Sequence, residues 1–156
     1  MIIKLSCLTS PCTRVLAGVI VPDTQLITSG LAFARSDSID YTYNHIIRSF
    51  LFSFTIADKF TATQSRDREA QPPYSKILSS DKRFEVDGAN AAREFLTRKG
   101  QDDQWNKHRL QLVWHAIALH TIRSIVFHEE PEVQTYAYGI WADLQGPARV
   151  PGGLLS

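Results

Sequence analysis

The chain is poor in the features that usually settle a compartment or a partner. Only two residues are cysteine, Cys7 and Cys12, and neither a second cysteine pair nor a nearby histidine completes a zinc motif. They read as free thiols of an intracellular protein, with a small loop disulfide as the alternative. An excess of one charge is also lacking: 17 Lys and Arg face 16 Asp and Glu. That balance offers no electrostatic footprint for nucleic acid or an anionic membrane, so neither is expected as a partner. No apolar run reaches the roughly 20 residues of a membrane span. The apolar start, Met1 to Leu8, is interrupted by Lys4 and followed by Pro11 and Arg14, which falls short of a secretory signal. There are no internal repeats. These absences predict a soluble, cytoplasmic protein, and 156 residues suit one domain.

What is present is mostly helical periodicity. Residues 1–16 read as an irregular lead-in. Val21-Pro22-Asp23 is a helix start, with Asp23 as a cap, and Leu26, Ile27, Gly30, Leu31 and Ala34 space a helix over about 24–35. A second helix over about 41–59 carries Tyr43, Ile46, Ile47, Phe50, Leu51 and Phe54 on one face. His45 lies on another, also apolar, with Phe52 and Ile56. Phe84, Val86, Ala89, Ala92, Phe95 and Leu96 build a third helix, with Asp87 as a cap and Gly100 as a stop. From Gln101 a further helix leads into Arg109–Thr121, which is apolar on almost every side and predicts a buried central helix. The last helix follows His128-Glu-Glu-Pro131, buries Val133, Tyr136, Ala137, Ile140 and Trp141, and ends at Gly146-Pro147. Residues 148–156 read as a flexible tail.

The order breaks over residues 60–79. This stretch is polar, holds Arg66-Asp-Arg-Glu69 and Gln71-Pro-Pro-Tyr74, and shows no apolar period, which predicts a disordered insertion.

His45, His120 and Asp143 stand out because each falls on a helix expected to be buried, with no local charge partner. Imidazoles and a carboxylate converging from separate helices suit a divalent metal. Other polar residues have plainer readings: His108 and His128 as helix-end surface residues, and Arg48 either in the His45 cavity or on the surface. His115 is about 140° round the helix from His120, too far to share an ion.

Several blocks carry a resemblance: Tyr43-Asn-His-Ile-Ile-Arg48, Ser80-Asp-Lys-Arg-Phe-Glu-Val-Asp-Gly-Ala-Asn-Ala-Ala-Arg93, and Val113-Trp-His-Ala-Ile-Ala-Leu-His-Thr121. Ala17-Gly-Val-Ile-Val-Pro-Asp23 and Ala142-Asp-Leu-Gln-Gly146 add to them. Over residues 17–147, apart from the middle, the chain resembles HD-domain metal-dependent hydrolases of the cyanamide-hydratase-like branch. The resemblance implies an all-α, HD-domain-like helical bundle, incomplete in the middle. It implies a divalent ion (Zn, or Fe or Mn) held by His45, His120 and Asp143, with an adjacent His-Asp pair completing the set. It also implies a small-molecule substrate attacked by metal-bound water; a homo-oligomer is a separate expectation. The chain departs from the family at its defining point, for it contains no His-Asp dipeptide. Three readings follow: a hydrolase or hydratase with an unorthodox site, a catalytically dead member that keeps a helical binding or oligomerising surface, or the shortened or misread product of a longer enzyme gene with no function of its own. Impaired catalysis is the expectation carried forward.

Overall fold

The computed structural model describes residues 12–60, 79–100 and 105–151. Within them the chain is all-α in class, with six helices and one small hairpin. The hairpin, β1 (Thr13–Leu16) and β2 (Val19–Pro22), is antiparallel with Val15 opposite Ile20. It replaces the irregular lead-in expected up to residue 16. The β-branched residues favour extended backbone, and Ala17 and Gly18, both at positive φ (47° and 84°), make the two-residue turn that fits strand twist. Leu16, Val19 and Val21 pack inward against Ile27, Leu31, Phe50 and Phe54, so the strands belong to the domain. Cys12, just before β1, is disulfide-bonded, which corrects the free-thiol reading and removes its argument for a reducing compartment. Cys7 lies outside the described residues.

Helix α1 (Gln25–Asp37) is capped by Thr24, whose hydroxyl accepts from the Ile27 amide at 3.2 Å. Asp23, the expected cap, instead pairs with Arg14 at 3.6 Å across the hairpin base. Helix α2 (Asp40–Phe60) matches the predicted second helix and buries Ile46, Phe50, Phe54 and Ile56. Residues 61–78, most of the stretch read as a disordered insertion, lie outside the described residues.

Helix α3 (Phe84–Lys99) begins three residues ahead of the expected cap. Asp87 therefore sits inside its first turn, buried, and accepts from the backbone amide and hydroxyl of Ser79 at 2.6 and 2.8 Å. It ties the incoming chain to the helix rather than starting it. Gly100 ends α3 as expected, and a Cβ there would sit 2.2 Å from the Trp105 ring.

Helix α4 (Lys107–Leu119) starts on an Asn106 cap and is less central than its composition suggests. Only Ala116, Ile117 and Ala118 within it are buried, while Leu110, Leu112, Val113 and Trp114 are half-buried. A four-residue helix α5 (Arg123–Val126) follows, unforeseen because one turn is too short to show a period. The core runs instead along α6 (Pro131–Gln145), where eight residues from Val133 to Ala142 are buried. Pro131 opens α6, where a missing N–H is harmless, and Gly146 ends it at φ 87°. A 3₁₀ turn at Pro147–Arg149 then returns Val150 to the core, 5% exposed, so the tail is packed at least that far.

Two helix pairs organise these elements. Helices α2 and α6 run antiparallel, and α3 and α4 do the same. No helix among the described residues is long and apolar enough to cross a membrane.

Candidate functional site

Close approach of α2 and α6 builds one wall of the site. A Cβ on Gly139 would lie 2.1 Å from Ser53 Oγ and 2.6 Å from the Ser49 carbonyl, so only glycine lets the helices come this near. One turn from Ser49 is His45, and one turn beyond Gly139 is Asp143; the antiparallel pairing therefore sets them face to face. His45 Nδ1 donates to Asp143 Oδ2 at 2.5 Å. The other carboxylate oxygen accepts from Arg48 Nε. Asp143 is almost fully buried, at 4% side-chain exposure. Burial alone would push its pKa up, but the hydrogen bonds from Arg48 and His45 outweigh that and hold it below the ordinary carboxylate value. An ionised carboxylate only accepts, so Nδ1 of His45 carries the proton.

The α3–α4 pair builds the opposite wall. Small residues again form the seam, with Ala89, Ala92, Ile117 and Ala118 packed together. At its end, Glu85 is buried, with 1% exposure, and accepts from Thr121 Oγ1 at 2.9 Å and from Arg83 at 2.5 and 3.1 Å. Burial would raise its pKa; the Arg83 and Thr121 bonds, with its own backbone amide, lower it to about 2. His120, the residue before Thr121, is buried and donates from Nδ1 to the Ile117 carbonyl at 2.7 Å. A carbonyl only accepts, so this tautomer is imposed by the partner. Burial is the main reason its pKa is lowered, which keeps the ring neutral and leaves Nε2 as an acceptor. The His120 carbonyl in turn accepts from Trp141 Nε1 at 3.0 Å, joining the two walls.

Between the walls lies a pocket of about 420 Å³. His45, Ile140, Trp141 and Leu144 line it from one pair, and Phe84, His120 and Thr121 from the other. Arg123 stands at its edge, its guanidinium 4.5 Å from the Trp141 ring centre and bonded to Gln145 at 2.7 Å. The volume falls in the range of small-molecule sites.

Of the predicted residues, His45 and Asp143 are hydrogen-bonded, and His45 and His120 share the pocket. Asp143 does not line it. Among the described residues no three His, Cys, Asp or Glu side chains are grouped to hold a metal ion. The donor chemistry agrees: both Asp143 oxygens are taken, and two imidazoles are fewer than the three protein ligands of an open zinc site. These residues do not fit the ion that the resemblance implies. Arg48 is half-exposed and bonds Asp143 without lining the pocket, while His115 faces away and bonds Glu129 at 3.0 Å. Glu85, Thr121 and Arg123 escaped the sequence reading. Glu85 looks like any acidic residue in a first helical turn, although it falls within the block that carries the resemblance.

Comparison with family models, with curated proteins and with solved structures finds no match to this chain.

Proposed function

We propose that this chain is a degenerate relative of HD-domain metal-dependent hydrolases of the cyanamide-hydratase-like branch, one that keeps a helical frame and a small-molecule pocket without metal-driven catalysis. One observation carries this reading: Asp143, which would be a metal ligand in an active relative, spends its oxygens on His45 and Arg48. It acts as the counter-ion that orients His45. The absent His-Asp dipeptide points the same way, since it removes an imidazole and an anion that would hold an ion. A weakly held ion seldom generates hydroxide at neutral pH, because most of the protein is then metal-free. What remains is a binding pocket with two imidazoles of fixed orientation.

The test is elemental analysis of the purified protein, combined with assays against cyanamide and simple phosphomonoesters under added Zn²⁺, Fe²⁺, Mn²⁺ or Mg²⁺. The expected result is substoichiometric metal and no turnover above buffer. One equivalent of metal with turnover, both abolished by His120→Ala, would overturn the reading.

A further inference from the structure

Building on the reading of this pocket as a binding site, we infer that it takes a small organic monocarboxylate, anchored on Arg123 with its apolar body against Trp141. The argument starts from a count of charges. Arg48 is spent on Asp143 and Arg83 on Glu85. Arg123 lines the pocket and has no carboxylate partner among the described residues. Its guanidinium carbon lies over the Trp141 ring, 4.5 Å from the centroid, and one Nη2 bond to Gln145 fixes its direction. Part of that arrangement serves α6, whose C-terminal carbonyls favour a nearby cation. That duty occupies one N–H, and the planar fork keeps others that match a carboxylate.

The rest of the lining supplies the body of the ligand. Phe84 is 46% exposed and Leu144 56%, both lining the pocket beside buried Ile140 and Trp141. An apolar group seated there would cover surface that now faces water. The polar groups beside them are already engaged: His120 Nδ1 donates to the Ile117 carbonyl, and the Thr121 hydroxyl donates to Glu85. One unspent cation beside apolar walls suits a single negative charge on an apolar molecule. A phosphate dianion would need a second cation, and the neighbouring arginines are committed.

The experiment is titration of the metal-free protein with phenylacetate, benzoate and isovalerate, each against its neutral amide. Binding is followed through the indole N–H resonance of Trp141, which the bond to His120 O makes a local reporter. At least one carboxylate should shift that resonance and bind at least about tenfold more tightly than its amide, a difference of about 1.4 kcal/mol. Arg123→Gln should abolish the preference. Arg93→Gln, altering a guanidinium stacked on Trp114 instead, should preserve it. Three carboxylates that leave Trp141 unmoved, amides that bind equally well, or displacement by inorganic phosphate would each overturn the assignment. Metal-dependent turnover would defeat the non-catalytic reading while leaving this binding preference to be read separately.

Discussion

The α2–α6 and α3–α4 pairs solve the same problem with different strictness. Each is an antiparallel helix pair with small residues at the seam, a buried carboxylate near one end, and an arginine and a histidine beside that carboxylate. In α2–α6 the seam is Ser49, Ser53 and Gly139, and the backbones are so close that even a methyl group has no room. In α3–α4 the packed seam residues are Ala89, Ala92, Ile117 and Ala118, all of which carry a Cβ. The carboxylates differ too. Asp143 touches its histidine directly, whereas Glu85 acts on the His120 region through Thr121. The close pair thus holds its imidazole by a charge-assisted bond, and the looser pair by a backbone carbonyl one turn away, that of Ile117. Helix proximity, rather than residue type, decides which kind of support a side chain receives.

That contrast is open to test. The largest effect belongs to Gly139→Ala, which should destabilise by about 3 kcal/mol despite the better helix propensity of alanine, because overpacking is not relieved by side-chain rotation. Ser53→Ala in the same chain should restore only part of the loss, since the Ser49 carbonyl remains 2.6 Å from the new Cβ. Denaturant unfolding of the single and double variants measures both. If Ala92→Gly in the other seam cost as much, the distinction between the pairs would collapse; about 1–2 kcal/mol is expected there.

Glu85 gives the next effect, and it depends on pH. Its folded pKa of about 2 lies below the ordinary 4.5. A depressed carboxylate pKa means stability that is present above pH 5 and lost as pH falls toward 2. The amount is up to about 3 kcal/mol by the usual conversion of pKa shift into free energy. Glu85→Gln should flatten this part of the stability profile, and unchanged acid sensitivity would show that Glu85 is not ionised in the fold. Asp143→Asn should give a smaller loss than Glu85→Gln, about 1–2 kcal/mol, because the half-exposed Arg48 can turn to water and the amide oxygen still accepts one bond. The His45 ring should lose its fixed orientation, seen as broadened imidazole resonances. A sharp, unmoved His45 signal would mean that packing alone holds it.

Much of the helical frame was legible in the chain itself. Spacing of Ile46, Phe50 and Phe54 located α2, and Pro131 and Gly146 bracketed α6 closely, because periodicity and helix-end chemistry are local properties. Short elements escaped: α5 spans one turn, and the hairpin was hidden by strands of four residues each. The central role was assigned to the wrong helix for a physical reason. Half-exposed apolar residues on α4 look the same in sequence as fully buried ones, whereas α6 hides its importance in Gly139 and Thr135. His45, His120 and Asp143 stood out in the chain, yet the bond between His45 and Asp143 and the placement of His120 in the pocket were not readable from spacing.

The sequence by itself determined where the helices run, that charge is balanced, and that a His-Asp dipeptide is missing. Only the tertiary structure decided that Asp143 would meet Arg48 and His45, that Glu85 would be buried under Thr121, and that Arg123 would lie over Trp141. Helix formation depends on neighbours three and four positions apart. These pairings join residues 95 and 98 positions apart in the first case and 36 in the second. They are set by how helices pack, and for Asp143 by an approach of α6 to α2 that Gly139 permits but that becomes visible only when its partner helix is in place.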